Sequence, residues 1–342
     1  MSPTPRLFVI LLCCTFAMST AQGATTAKEN QLLFMWWNVE NLFDTIDDPL
    51  TNDNEFTPEG SRHWTSKRLA LKYLRLAHII KLAGAKKSLN GYPDILALGE
   101  VENKQVFRTL LSFLPDHHYH IVYHNSRDPR GIDIALAYNS QTLRHLSSRQ
   151  IKIPLSRKAT RDISLHEFTT GNTRFFLIVN HWPSRSLDRK WSEPLRLQAA
   201  ESARAIVDSL LAQDPATNII VAGDFNDEPY DRSIRQILRS VNDRKKVLGP
   251  SPLCLYNCWA QSDAPGSYHY KNRWNRLDQI MVSRSLLDGR RGLQIRNTSF
   301  SCFRPEQMQE PGSGIPSRTW KGIRHRGGYS DHYPLLLDIA TE

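Results

Sequence analysis

Nine short runs of apolar or β-branched residues, each bounded by turn formers, punctuate this chain, against only four segments of helical periodicity. The runs fall at 32–37, 94–99, 119–123, 132–138, 163–169, 174–180, 218–222, 277–282 and 333–339, and the helical segments at 66–82, 104–114, 195–211 and 232–241. In the third helical segment Leu195, Ala199, Ala203, Ile206 and Leu210 recur at spacings of three and four, which puts them on one buried face. A doubly wound nucleotide-binding sheet alternates strand and helix one for one, so the ratio is too sheet-rich for that fold. The expectation is an α/β architecture of two stacked sheets with helices outside. Thr170-Gly171-Asn172 predicts a hairpin between two of the runs. Segments 243–276 and 303–329, rich in Pro, Gly and Arg, read as long surface loops, which in a compact domain usually carry function.

Composition narrows the class without naming a substrate. A chain 40% hydrophobic and 23% charged has a core to bury and is not disordered. Its 44 Lys and Arg against 34 Asp and Glu give a charge of +10, which favours polyanions, nucleic acid and anionic lipid alike. The first 23 residues stand apart: Arg6 is their only charged side chain, 7–18 is apolar, and Ala21-Gln22-Gly23 ends in small residues. That is the pattern of a secretory signal peptide. Cleavage after Gly23 leaves 319 residues at +9, read as a single domain over 24–342 and expected outside the cell or in the periplasm. No other apolar stretch reaches membrane-spanning length, so no transmembrane segment is expected in the mature chain. Nor does any segment mark an obligate protein partner. Of the cysteines that remain, Cys254 and Cys258 are close enough to pair across a loop and equally suited to packing as small hydrophobes, with Cys302 left over.

Polar residues gather where the apolar runs end. Asn38 and Glu40 follow the first, Glu100 the second, Asn180 and His181 a later one, and Asp224 and Asn226 close NIIVAGDFN. Asp278 lies within RLDQI, and Asp331 and His332 precede the last run. Singly, each has a plainer role: Asn38 tying a turn, Glu100 or Asp224 capping a helix, His181 satisfied in the core. Gathered near a core they are costly unless they bind an ion or a charged ligand. Carboxylates without cysteine suit magnesium, with manganese or calcium as alternatives, rather than a thiophilic metal. With a His–Asp pair and amides to meet phosphoryl oxygens, the set suits hydrolysis of a phosphate ester. The acidic stretch from Asp44 to Glu59 matches no calcium-loop spacing and reads as a solvated loop.

Seven segments carry these residues: WWNVENLFD (36–44), DILALGEVEN (94–103), GIDIALAY (131–138), IVNHWPSR (178–185), VAGDFND (221–227), RLDQIMVS (276–283) and GGYSDHYPLLLDI (327–339). In that order they resemble the endonuclease/exonuclease/phosphatase superfamily, which includes deoxyribonucleases, apurinic-site endonucleases, neutral sphingomyelinases and inositol polyphosphate phosphatases. The resemblance implies a four-layer α/β sandwich, two central mixed sheets flanked by helices. It implies Glu100 as principal metal ligand, with Asn38, Glu40 and Asp331 near the same ion. It also implies Asp224 orienting or deprotonating the attacking water, Asn226 steadying the phosphate, and His332, held by Asp278, contacting it. His181 matches a histidine of the deoxyribonuclease and sphingomyelinase branches. For Arg185 a phosphate clamp is the expected role, since guanidinium binds two phosphate oxygens at once.

For the substrate, three segments near these motifs combine cations with tryptophan: 182–191, 271–276 and 318–326. Cations neutralise phosphates and aromatic faces stack on bases, so a nucleic-acid groove is the expected reading, with DNA or RNA as partner. Arg273, Trp274, Arg276, Arg324 and Arg326 are its expected contacts, with Trp320 as a second stacking platform. A phospholipid diester is the alternative, and a solvated basic face the plainest one.

Overall fold

The computed structural model describes Met1 and residues 31–88, 91–155, 159–185, 189–250 and 253–341. Apart from Met1, the expected signal peptide lies outside the described residues. In chain order the first strands are β1 (Gln31–Leu42), β2 (Ile95–Val101), β3 (Tyr119–Tyr123), β4 (Asp133–Asn139), β5 (Arg144–Ile151), β6 (Ile163–Thr170), β7 (Thr173–His181) and β8 (Ile219–Asp224). Then come β9 (Ser240–Val241), β10 (Leu255–Asn257), β11 (Tyr268–Tyr270), β12 (Arg273–Asn275), β13 (Asp278–Val282), β14 (Leu293–Gln294), β15 (Phe300–Cys302), β16 (Trp320–Lys321), β17 (Arg324–His325) and β18 (Leu335–Thr341). The helices are α1 (Ser66–Lys87), α2 (Lys104–Ser112), α3 (Arg189–Gln213), α4 (Arg244–Leu248) and α5 (Arg284–Asp288).

Two mixed sheets of seven strands each form the centre. One runs β14-β18-β1-β2-β4-β3, with β15 also on β18, and the other β5-β6-β7-β8-β13-β10-β9. Period-two alternation makes the layers. Phe34 and Trp36 of β1 pack inward with Leu177 and Val179 of β7 and Ile220 and Ala222 of β8. Their neighbours Leu33, Met35 and Trp37 point the other way, onto Leu76, Ile79 and Ile80 of α1 and Leu110 of α2. Across the molecule, Ile178 and Val221 meet Ala199, Ala203 and Val207 of α3. The result is the expected four-layer sandwich, helix–sheet–sheet–helix.

All nine expected runs fall on strands, and Gly171-Asn172 turns β6 into β7 in the Thr170↔Thr173 register. Beyond these runs the chain adds short elements with no periodic signal, α4, α5, β10, β14 and β15, and further details differ. β5 was not anticipated because this sheet-edge strand buries no residue fully and so lacks an apolar alternation. The expected helix at 232–241 is a five-residue π-helical turn, Ser233–Ile237, after which Arg239 takes a left-handed φ of 58° and releases the chain into β9. The two expected loops carry short hairpins, β11–β12 and β16–β17. All three cysteines among the described residues are free thiols, and Cys258 packs in the core between the sheets.

Candidate active site

The site forms where the central strands of both sheets end side by side. β7 and β8 run parallel with Asn180 opposite Gly223 and His181 opposite Asp224. A Cβ on Gly223, whose φ is +145°, would stand 1.9 Å from the Asn180 carbonyl oxygen, so only glycine lets these strands approach. On the other sheet the β1–β2 register shifts between Asn38 and Leu42, and the β2–β4 register between Gly99 and Val101. Bulges of this kind re-aim side chains beside active sites. Glu40, Asn41, Glu100 and Asn226 all take left-handed φ values between 51° and 66°, strain that a surrounding hydrogen-bond network must hold in place.

That network is dense. Asn38 Nδ2 donates to Glu100 Oε1 (3.3 Å) and Asp224 Oδ2 (3.1 Å), and Asn41 N–H donates to Glu100 Oε2 (2.9 Å). Asn226 N–H donates to Asp224 Oδ1 (2.9 Å), while its side-chain amide donates to the Trp182 carbonyl (3.0 Å). Asp278 is fully buried and receives Trp36 Nε1–H (2.9 Å) and the Ser267 hydroxyl (2.6 Å). Its Oδ2 also lies 2.6 Å from His332 Nδ1. Trp37 Nε1–H fixes the His332 carbonyl (2.8 Å), and the Tyr268 ring stacks on the imidazole at 4.6 Å.

Electrostatics give the groups distinct states. Burial opposes a charge on His332, but Asp278, Asp331 and Asp224 outweigh it and hold the imidazole protonated well above its ordinary range. His181 is driven the other way by burial and by Arg161 and Arg130, and stays neutral 3.7 Å from Asp224. Asp224 is raised to about 6 by burial and by Asp278, with His332 opposing. Asp331 is raised by burial, with His332 opposing and the Glu100 charge adding to the rise. Asp224, Asp278 and His332 lie close enough together to hold an ion. The imidazolium already fills that role between the two carboxylates, so the oxygen donors left for an ion are those of Glu100, the Asn38 amide and Asp331, the last 3.8 Å from His332 Nε2. Hard oxygen donors grouped in this way fit a hard divalent ion.

These residues line a cavity of about 540 Å³. It brings together Asn38, Glu40, Glu100, His181, Arg185, Asp224, Asn226, Asp331 and His332, with Asp278 buried behind His332. Two of them are engaged otherwise than expected. Both Glu40 oxygens are taken by the Thr319 and Trp320 N–H groups, at 2.5 and 3.0 Å, so Glu40 anchors the 317–330 loop instead of facing an ion. Arg185 donates Nε–H to the Asn226 carbonyl (2.6 Å) and Nη2–H to Asp231 (2.8 Å), so its fork buttresses the GDFN loop.

Arg273, Trp274, Arg276, Arg324 and Arg326 do not line this cavity. Trp274 and Tyr333 lie near-parallel with centroids 6.2 Å apart, and Arg304 contacts both rings, at 4.6 and 5.3 Å. Trp320 is only 4% exposed, packed on Phe56, Trp64 and His325, so it offers no open face, while Trp274 borders a different cavity. The rim is made instead by Arg62, Arg130, Arg318, Tyr268 and Tyr270. Deeper, Arg161 pairs with Asp128 (2.6 Å) and donates to the carbonyls of His181 and Trp182, each at 3.0 Å. Tyr268 and Tyr270 sit on a strand of three residues, which carries no periodic signal. Arg318 belongs to the 318–326 segment of cations and tryptophan, whereas Arg62, Arg130 and Arg161 carried no such signal.

A family model described as Endonuclease/Exonuclease/phosphatase family matches residues 34–341. No curated protein matches. Among solved structures, the human Nocturnin catalytic domain superposes with a TM-score of 0.55 at 18% identity, covering 91% of this chain and 95% of that one. TDP2 of D. rerio with single-strand DNA product gives 0.56 at 15%, covering 92% and 100%. A mannosyl-6-phosphatase of Bacteroides thetaiotaomicron gives 0.54 at 15%, covering 90% and 99%. With the sandwich and the seven motifs in order, the chain belongs to the endonuclease/exonuclease/phosphatase family and is a metal-dependent phosphoric ester hydrolase.

Proposed function

We propose that this enzyme is a nuclease, hydrolysing nucleic-acid phosphodiesters by in-line attack of water. The observation that carries the reading is the aromatic row leading out of the catalytic cavity. Tyr268 stacks on His332, and Tyr270, 50% exposed, lies beyond it with its ring 16° from the Tyr268 plane. Beside this row stand Arg62, Arg130 and Arg318. Open aromatic faces beside guanidinium groups suit bases and phosphates together. The D. rerio neighbour with a single-strand DNA product is in keeping with it.

In this mechanism Asp224, anionic above about pH 6, orients the water and takes its proton. Asn226 presents the remaining hydrogen of its amide to the phosphate, and the His332 imidazolium, fixed by Asp278, meets the charge growing on the phosphoryl oxygens. Neutral His181 adds a hydrogen-bonding edge beside Asp224. Glu100, Asp331 and Asn38 would hold magnesium, or manganese or calcium in its place. The ion supplies charge neutralisation on the phosphoryl and leaving oxygens.

The test is product release from DNA, RNA, sphingomyelin and phosphomonoesters, with and without chelator. DNA or RNA should be cleaved fastest, and chelator should abolish the reaction until metal is restored. Faster release from sphingomyelin would make the lipid diester the substrate. We further propose export, from the Arg6 and 7–18 pattern, of a single domain over 24–342. N-terminal sequencing of the protein from its native source should begin near Ala24, and an intact Met1 in the cytosol would refute it.

A further inference from the structure

Beside the catalytic cavity lies a second, of about 670 Å³, bordered by Tyr230, Arg235, Lys246, Trp274 and Arg276. Two chain segments pass from one cavity into the other. After β8, Asp224 and Asn226 line the catalytic cavity, while Glu228 and Tyr230 line the second. From β12 onward the sides alternate, Asn275 and Leu277 facing the first cavity and Trp274 and Arg276 the second, as extended chain requires. The two segments are tied where they cross: Phe225 N–H donates to the Leu277 carbonyl (2.9 Å) and Arg276 N–H to Glu228 Oε2 (3.0 Å). The divide between the cavities is therefore a fixed saddle one chain wide on each side.

The charges on the far side are unevenly engaged. Glu228 accepts the Arg276 N–H, and Asp243 caps α4 through the Lys245 and Lys246 N–H groups. Arg276 is held over the Trp259 ring at 4.9 Å and donates to the Ala264 carbonyl. By contrast, the Arg235 and Lys246 side chains are exposed and make no ion pair or hydrogen bond among the described residues. Both carboxylates have partners and two cations do not, so the cavity is poised for an added anion.

We infer that this cavity receives a second phosphate of the substrate, the neighbour of the scissile one along a polynucleotide. The inference rests on the nuclease reading and sharpens it, because a phosphomonoester or a sphingomyelin headgroup has one phosphate and no use for the second cavity. With the scissile phosphate on His332, the chain crosses the Arg276–Leu277 saddle and its next phosphate meets Arg235 and Lys246.

The experiment is calorimetric binding, with magnesium present, of thymidine 3′,5′-bisphosphate and of the two thymidine monophosphates. The intact enzyme should bind the bisphosphate about tenfold more tightly than either monophosphate, since each phosphate contact adds its own charge-assisted hydrogen bonds. The double variant Arg235→Glu with Lys246→Glu should lose that margin. Its hydrolysis of bis(p-nitrophenyl) phosphate should stay within about twofold, because neither residue touches the catalytic cavity. A margin that persists in the variant, or none in the intact enzyme, overturns the inference. If the margin behaves as expected but the intact enzyme cleaves neither DNA nor RNA, the anion site stands, and both the nuclease reading and the polynucleotide assignment fall.

Discussion

The floor of the catalytic cavity is assembled from residues at the ends of central strands, held by buried hydrogen bonds from both sheets. Its rim comes from loops and from hairpins of two or three residues per strand, carrying half-buried tyrosines and arginines. The floor is over-determined, since Asp278 alone meets Trp36, Ser267 and His332. The rim is tied at few points, chiefly where Glu40 and Lys72 hold the 317–330 loop. Lys72, 1% exposed, donates to the Thr319 hydroxyl (2.5 Å) and the Tyr329 carbonyl (2.8 Å). Burial raises Glu40 and lowers Lys72, and each partly offsets the shift of the other. Chemistry is thus placed by the core, and the share of the rim that carries Arg318 by a loop pinned through one buried pair.

That contrast breaks first at Lys72. Lys72→Met leaves the Glu40 carboxylate buried without its cation and should destabilise the fold by about 3–5 kcal/mol, read in urea denaturation. Adding Glu40→Gln should recover part of the loss. A single variant as stable as the parent would mean the rim anchor carries no such weight.

On the floor, Asp224→Ala and His332→Ala should each lower kcat by roughly a hundredfold or more while circular dichroism stays that of the folded protein. Near-normal turnover in either would remove that residue from the mechanism. The same floor sets the acid limb. Asp224 is needed as a carboxylate and is raised to about 6, so activity should be full above that pH. Below it the rate should fall about tenfold per pH unit as the group protonates. A rate flat down to pH 4 would contradict the assignment of Asp224 as base.

The smallest effect belongs to the rim. Tyr270→Ala should raise KM for single-stranded DNA about fivefold or more, a stacking contribution of about 1–3 kcal/mol per base. Hydrolysis of bis(p-nitrophenyl) phosphate should be unaltered. An equal effect on both substrates would place Tyr270 in the floor and erase the distinction.

Legibility in the sequence follows the same line. Asn38, Glu100, Asp224 and His332 were visible because an apolar run ending in a polar residue marks a strand end, and the strand ends converge. Glu40 was misread because its left-handed backbone turns its carboxylate to the Thr319 and Trp320 amides, a rotation that residue type does not reveal. Trp320 was misread because a tryptophan beside arginine looks the same in sequence whether its face is open or covered, and Trp274 borders the second cavity rather than the catalytic one. Tyr268 and Tyr270 sit on a three-residue strand, too short for alternation to register. Arg62, Arg130, Arg161 and Lys72 reach the site from separate segments, and only the tertiary fold brings them together.

The β16–β17 hairpin turns at Gly322 and Ile323, the glycine at φ +61° and the isoleucine 63% exposed. Its base is fastened by Glu40 to the Thr319 and Trp320 amides and by Lys72 to Thr319 and Tyr329. A segment gripped at its root and open at its tip behaves as an interchangeable part. Residues 321–326 can be redrawn, lengthened or grafted from a relative without touching Asp224, Asn226, Asp278 or His332, and their tie to the rim is the Gly322 carbonyl that accepts from Arg62 Nη1 (3.0 Å). The rim around Arg62 is in that sense adjustable separately from catalysis, and a library confined to those six positions would reshape it on an unchanged engine.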